Sequence, residues 1–562
     1  MMNKGARVLI IGFDGADWKI LKPLLDENKV PNIAKLIREG FSSPLNSTTP
    51  PMTLPSWSSM LSGATPGVHG IFDFVHKKEG AWRLQFSSAK DRAVPTIHEW
   101  LSEQGKRVVS IAVPTTWPPK PVNGVVVSGF DSPVATGIDG SFCYPEEIYS
   151  QIEEKFGGLR FADFQESDIG EGWHDKALQL LHKEIKRKTE IGLWILDQER
   201  WDCFMLLFGE SDTVSHHFWA FHDSESPRHP TEPKFSHLQA AIFDIYVALD
   251  QALGKFLDAG AADIVCICSD HGFGGAGDYA LFLNRYLEQK GWLEYRKQAQ
   301  VQGTRFGAGI LDKVREVGLR HIPHQLQGKI FRRLPRRLVN FVESRNRFGN
   351  INFQQTRAIS DEMNYAATIR LNVPQDKERE IFERLRQDLL DWKVDGQHPV
   401  KEVYYREDVY QGELVYRSPE VVLILAERDG YTYTLIPSVR AKKGQTWRKL
   451  KASELLGGKG LGMNGSHRQH GILVIWGQGI RQGIDQNILE DLPNMQDITP
   501  TLLCAKNWEI PAHCDGRVLQ KIFTTPMEES RKNWASKRQE VRDASNEEYA
   551  AIKKRLEGLG YL

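Results

Sequence analysis

Six short runs of continuously apolar, largely β-branched residues each end abruptly in glycine or a polar residue. They are "VLIIGFDG" from Val8, "VVSIAVP" from Val108, "VVVSGFDS" from Val125, "CFMLLFGESD" from Cys203, "IVCICSDHG" from Ile264 and "ILVIWG" from Ile472. A strand with no polar face must be covered on both sides, which is the situation of strands in a parallel or mostly parallel sheet. Helical patterns between the runs, such as Lys176 to Leu196 and His237 to Ala259, supply the covers. The expected fold class is therefore α/β: a doubly wound, mostly parallel sheet that binds ligands at the carboxyl ends of its strands.

A chain of 562 residues exceeds one simple core, so one large α/β unit with insertions, or two to three domains, is expected. From about Asn284 to Gln445 the strand pattern gives way to helices mixed with irregular pieces, and it returns near Leu455. This divides the chain into a first core part (1–283), an inserted cap (284–445), a second core part (446–525) and a charged helical tail (526–562). Within the cap, Lys313 to Arg347 is basic and contains "KIFRRLPRRLV", a solvated helix face or a basic amphipathic helix near a phosphate or membrane surface. Lysine plus arginine equal aspartate plus glutamate at 72 each, so global charge gives no reason to expect nucleic acid or an acidic membrane as partner. The opening "MMNKGARVLIIGFDG" reads as a first strand and not a signal peptide. No apolar run approaches the ~20 residues of a membrane span, and a cytoplasmic protein is expected. The six cysteines are scattered and read as reduced and structural.

The chemistry lies where the strands end. Asp14 follows the first run, Asp212 the fourth, and Asp270 with His271 the fifth. His216 stands four residues after Asp212, on the same face if that segment is helical, and "GMNGSHRQHG" brings His467 to a glycine-flanked loop. Singly, each has an ordinary explanation, such as a turn or a cap. Together, three aspartates and three histidines form the mixed oxygen and nitrogen set that zinc or manganese takes, enough for two ions. The stretch "PPMTLPSWSSMLSGATPGVHGIFDF", Pro50 to Phe74, adds Thr53. Thr53 could be a plain N-cap for a helix beginning near Ser56, with Pro55 at a tolerated early position. Its hydroxyl is a feeble nucleophile at neutral pH, but a divalent ion lowers its pKa, and a helix start behind it offers N–H groups to an anion. These are the parts for attack on phosphorus.

In order, "GFDG", "TLPSW", "TPGVHGI", "DTVSH", "SDHG" and "NGSH" resemble the alkaline phosphatase superfamily, most closely its type I phosphodiesterase and nucleotide pyrophosphatase branch. "LNRYLEQKGWLEY" and "DITPTLLCAKNWEIPAHCDGRVL" are similar to the phosphohydrolase or phosphomutase group of that superfamily. The resemblance covers roughly residues 6 to 281 and 455 to 522. It implies that Thr53 is the nucleophile that becomes transiently phosphorylated. It also implies that Asp14, Asp270 and His271, with Thr53, attend one metal, and Asp212, His216 and His467 the other. Two divalent ions follow, zinc first and manganese second, with a small-molecule phosphate ester as partner. His217 and His470 are off the pattern, and His69 reads as structural. Ser56 stands where the nucleotide pyrophosphatases place an asparagine that donates to a phosphoryl oxygen. Its shorter hydroxyl is the candidate substrate-binding group, aided by backbone N–H groups at the helix start. The sulfatase signature Cys/Ser-x-Pro-x-Arg is absent. The implied activity is hydrolysis of phosphate esters, as by a phosphodiesterase or nucleotide pyrophosphatase. A phosphomutase and a non-catalytic metal-containing protein that binds phosphate ligands are the alternatives. A dinucleotide-binding oxidoreductase is disfavoured because "GFDGAD" lacks the glycine-rich phosphate turn. Tyr404, Tyr405, Tyr410, Tyr431 and Tyr433 in the cap read as cross-strand packing, or as a stacking surface for a base or sugar.

Overall fold

The computed structural model describes residues 7–77, 82, 84–132, 140–159, 171–198, 200–260, 262–296, 351–362, 367–456, 463–534 and 552–553. The basic run from Lys313 to Arg347 and most of 526–562 lie outside the described residues.

All six apolar runs are strands of one nine-stranded sheet. Its order is Ile484–Asp485, Phe41–Asn46, His470–Gly477, Ile264–Cys268, Val8–Phe13, Cys203–Phe208, Val108–Val113, Gly124–Ser128 and Cys143–Tyr144. Val8–Phe13 lies at the centre and pairs in parallel with Cys203–Phe208 and with Ile264–Cys268. Gly12 is level with both Leu207 and Cys268, so these three strands end on one line.

Alternation along the strands divides the core into two layers. Leu9, Ile11 and Phe13 face one apolar cluster with Leu181, Ile242 and Leu249, from the helices Trp173–Gln198 and Ala241–Ala259. Val8 and Ile10 face the other with Met60, Leu101 and Leu502, from the helices Thr53–Ser62, Ile97–Glu103 and Ile498–Ala505. The sheet is thus doubly wound. Exposing either layer of so many fully buried Leu, Ile and Phe side chains would cost about 1.5–3 kcal/mol each.

Three details differ from the sequence reading. His470–Gly477 runs antiparallel to Ile264–Cys268, a direction that an apolar run cannot encode. Phe41–Asn46, "FSSPLN", is a strand whose residues alternate between buried and part-exposed. Its apolar content is too low to stand out, and Ile484–Asp485 covers only its first two residues. The second long helix begins at Ala241, because Pro233–Leu238 forms a separate 3-10 turn.

In the middle of the chain, Ala358–Ile359, Thr368–Leu371, Val421–Leu425 and Val400–Tyr405 form an antiparallel four-stranded sheet. The helix Glu378–Leu390 packs on it through Ile381, Phe382, Leu385 and Leu389. The strand Gly272–Leu281 leaves the end of Ile264–Cys268 and pairs with Gly465–Arg468, Tyr431–Leu435 and Trp447–Lys449. All six cysteines are free and buried. Among the described residues, no helix is long and apolar enough to cross a membrane.

Candidate active site

The chain enters the helix Thr53–Ser62 through Met52 in extended conformation (φ −144°, ψ 139°), and the helix stops at Gly63 in the left-handed region (φ 65°). Thr53 is therefore the first helical residue and not the cap. The first turn of a helix has no intrahelical acceptors for its N–H groups, and Ser56 is the first to bond back, to Met52 O at 3.1 Å. The Thr53 hydroxyl points to the strand ends, with Oγ1 3.4 Å from His271 Nε2. Ser56 Oγ lies 2.9 Å from both Ser47 Oγ and Thr48 Oγ1.

Asp14 and Asp270 stand just past parallel strands, and Gly15 N–H donates to Asp270 Oδ1 at 3.1 Å. The helix Glu210–His222 follows Cys203–Phe208 and sets Asp212 and His216 on one face, Oδ1 to Nε2 3.3 Å. His467 arrives on Gly465–Arg468, which pairs with Gly272–Leu281 through Phe273, and its ring stacks on His271 at 3.6 Å between centroids. Asp212 Oδ1 is 3.5 Å from His467 Nε2 and 3.9 Å from His271 Nε2. Asp14 Oδ1 and Asp270 Oδ2 lie 3.7 and 3.2 Å from the same His271 nitrogen. Residues separated by more than 450 positions thus meet in one pocket.

The donor set fits cations. Each imidazole has its Nδ1 against a backbone carbonyl: His216 on Gly465 O, His271 on Gly272 O and His467 on Pro51 O, all at 3.1 Å. A carbonyl only accepts, so each Nδ1 carries the proton and each Nε2 presents a lone pair inward, the tautomer a metal requires. His216 Nε2 and His467 Nε2 then face each other at 3.0 Å, an arrangement a shared cation relieves. Two triads, Asp212 with His216 and His467, and Asp14 with Asp212 and His271, have ligand atoms within 4.8 Å of one another. Asp212 belongs to both.

Electrostatics agree. Burial, then the carboxylates of Asp270 and Asp212, hold the Asp14 carboxyl well above the usual range. Burial, with Asp212 adding to it, does the same to Asp270. Burial lowers the pKa of His271 and of His467, with the His467 ring adding to it for the first and the His216 ring for the second. Asp14 Oδ1 and Asp270 Oδ2 are buried and accept no hydrogen bond. Three buried carboxyl groups this close together need compensating positive charge to ionise together.

Other residues orient the ligands. Trp57, four residues after Thr53 and fully buried, donates Nε1–H to Asp14 Oδ2 at 3.0 Å, which leaves Oδ1 to face the cluster. One helix therefore holds both the threonine and the group that aims an aspartate. Asp17 Oδ2 accepts from Phe273 N at 2.8 Å, and Asn464 ties its loop to Ala220 N and His217 O at 3.1 and 2.8 Å. The spacing of Trp57 in "TLPSW" was the sole sequence signal for this group. Removing an outer partner of a metal ligand typically costs about 10–100-fold in metal affinity. Trp57→Phe, which keeps the packing and loses the donor, is expected to weaken metal binding by about that factor, read by competition with a chelating dye. Unchanged affinity would remove Trp57 from the site.

His69, His217 and His470 are outside the two triads. His69 Nε2 bonds Ser59 Oγ at 3.0 Å and its Nδ1 accepts from Ile71 N at 3.1 Å; burial lowers its pKa to about 3. His217 packs edge-on to Trp173 at 5.3 Å, and His470 is exposed.

A doubly wound sheet that delivers metal-ligand side chains from several strand ends to a threonine at a helix start is the architecture of the alkaline phosphatase superfamily. Phosphonoacetate hydrolase from Sinorhizobium meliloti 1021 has the same fold, at 14% identity and a TM-score of 0.50 over 89% of this chain and 95% of that one. Human ectonucleotide pyrophosphatase/phosphodiesterase 5 aligns at 13% identity over 92% of this chain and 100% of that one, with a TM-score of 0.49. Among curated proteins, none matches by sequence. The sequence profile of the type I phosphodiesterase/nucleotide pyrophosphatase family matches residues 8–444, and the chain belongs to that family of phosphoester hydrolases. The matched span contains Asp14, Thr53, Asp212, His216, Asp270 and His271; His467 lies beyond it.

Proposed function

We propose that this chain is a metal-dependent hydrolase of phosphate esters that works through a phosphothreonine on Thr53. The observation that carries this reading is the Thr53 hydroxyl at the start of a helix, 3.4 Å from His271 Nε2, beside two triads of ligand atoms. Two divalent ions, zinc first and manganese second by the mixed oxygen and nitrogen donor set, would sit on Asp14, Asp270 and His271 and on Asp212, His216 and His467, with Asp212 within reach of both, and would supply the charge that activates the hydroxyl and neutralises phosphoryl oxygens.

The chain's own groups do the rest. Thr53 Oγ1, having lost its proton, forms the bond to phosphorus as the bond to the leaving oxygen breaks in line. The N–H groups of the first helical turn point at the non-bridging oxygens and favour their negative charge. Ser56, with its hydroxyl on Ser47 and Thr48, braces the approach to Thr53 while those N–H groups bind oxygen. Water then cleaves the phosphothreonine, giving phosphate or a monoester and restoring the hydroxyl. The described part of 284–445 would act as a cap through the stretch around Tyr410, which donates to Thr49 O at 2.7 Å, and Leu414, whose N–H donates to Gly67 O at 2.9 Å. The six free, buried cysteines favour a reducing compartment, the cytoplasm.

A phosphomutase is the second reading, favoured by one observation: Thr53, Asp270 and His271 are all 0% exposed. An enclosed phosphothreonine is suited to return its group to another hydroxyl of the bound substrate. The zinc-loaded protein is expected to release p-nitrophenol from p-nitrophenyl phosphate or bis-p-nitrophenyl phosphate, and phosphate released in H2(18)O is expected to carry the label. Turnover without label in the product rules out the water step; no turnover of either ester favours the mutase.

A further inference from the structure

Arg228, in "SESPRHP", is 0% exposed although it carries a charge. Desolvating a guanidinium is costly and is offset only where its N–H groups find acceptors. Those of Arg228 find them on three separate segments. Nε donates to Gly277 O at 2.8 Å, Nη1 to Met463 O at 3.1 Å and Nη2 to Thr434 Oγ1 at 2.8 Å. Gly277 lies on the strand Gly272–Leu281, which begins directly after His271, and Thr434 on Tyr431–Leu435, from the middle of the chain. Met463 leads into Gly465–Arg468, the strand that carries His467. A planar fork with fixed N–H directions holds three acceptors in one relative position, which the compact ammonium of a lysine cannot do.

The segment that Arg228 grips has two tasks at the position formed by Asp212, His216 and His467. It delivers His467, and its Gly465 O meets His216 Nδ1 at 3.1 Å, the contact that leaves Nε2 facing inward. It also lies directly on the helix Glu210–His222, since a Cβ on Gly465 would stand 2.1 Å from Ser215 O. Asn464, also 0% exposed, holds the same segment: its O accepts from Ala276 N at 2.9 Å, while its side chain joins Ala220 N and His217 O. Asp14 and Asp270 are placed by other contacts, Trp57 Nε1–H on the first and Gly15 N–H on the second. A displaced Met463 therefore moves the ligands of one metal position and spares these two carboxylates.

We propose that Arg228 is a positioning residue for the metal at Asp212, His216 and His467, and that through Thr434 it makes the affinity of that position depend on the docking of the strand Tyr431–Leu435. The inference rests on the two-ion reading of the site and adds to it a residue that acts through Met463 and Gly465. A shift of the middle segment reaches the metal ligands through this one side chain.

The test is metal binding, so that it does not depend on turnover. Metal-free full-length protein is titrated calorimetrically with zinc, and in parallel with cobalt, whose visible absorption reports the ligands of each ion. Arg228→Lys keeps the charge without the fork, and Thr434→Val removes the acceptor hydroxyl; His467→Ala marks which cobalt band and which zinc step belong to the position in question. Each of the first two variants is expected to weaken that zinc step about tenfold or more, to leave the other within about twofold and to diminish the marked cobalt band. Both zinc steps unchanged beside a lowered thermal midpoint, or both weakened alike, overturns the proposal. An effect of Arg228→Lys without one of Thr434→Val overturns the dependence on Tyr431–Leu435, and if Arg228→Lys does not fold, Thr434→Val decides alone. Wild-type protein that binds fewer than two ions also overturns the proposal. Wild-type protein that binds two zinc ions yet hydrolyses neither p-nitrophenyl ester instead counts against the hydrolase reading and leaves the role of Arg228 standing.

Discussion

Thr53→Ala is expected to lower kcat on p-nitrophenyl esters by about 10³-fold or more, because the Thr53 hydroxyl is the one proposed to attack phosphorus. Thr53 is fully buried, and its Oγ1 meets His271 Nε2 at 3.4 Å; alanine removes the hydroxyl and leaves the six aspartate and histidine side chains in place. Metal content measured on the same samples should stay at two ions per chain. Brief incubation of the wild-type protein with substrate, followed by acid quench and mass spectrometry, should show one added phosphoryl group on the peptide containing Thr53 and none in the variant. Full activity in Thr53→Ala would mean that water attacks phosphorus directly, and the phosphothreonine route would be abandoned.

Asp212→Ala should have a comparable effect by a different route. Its Oδ1 lies 3.3, 3.5 and 3.9 Å from the Nε2 atoms of His216, His467 and His271, so one carboxylate serves both triads. Its loss is expected to reduce bound metal after dialysis from two ions per chain to fewer than one, with kcat falling by about 10³-fold or more. His467→Ala removes a ligand from one triad only, and one ion should remain. The contrast between the two variants is the informative result. If Asp212→Ala retains two ions while His467→Ala loses both, the assignment of ligands to the two positions is wrong.

Much of this site was legible before any coordinates. Apolar runs that stop at Asp14, Asp212 and Asp270 locate strand ends, since a carboxylate cannot continue a strand buried on both faces. The spacing of Asp212 and His216 predicts one helical face, and their 3.3 Å contact agrees. The strand Phe41–Asn46 was not legible, because "FSSPLN" has neither a continuous apolar run nor an alternation of apolar and polar residues, although its burial alternates. Thr53 allows the reading of a plain cap beside that of a nucleophile, because threonine is common at helix starts. Met52, in extended conformation, takes that place instead, and Thr53 turns its hydroxyl to His271.

Orientation was beyond reach for a further reason. That Nδ1 of His216, His271 and His467 each meets a backbone carbonyl depends on where Gly465, Gly272 and Pro51 lie in space, and no residue identity records a carbonyl's direction. Trp57 carries a spacing signal but no mark of its partner Asp14.

By itself, the sequence determined which segments are buried strands, where they end and which chemically able side chains stand at those ends, because burial and termination are set by neighbouring residues. Only the tertiary structure decided that these ends meet: the parallel register that puts Gly12 level with Leu207 and Cys268, the antiparallel return of His470–Gly477 beside Ile264–Cys268, and the sharing of Asp212 between two triads. Strand order and register arise from the packing of two helical layers across the sheet. Those contacts join residues far apart in the chain, so no local stretch contains them.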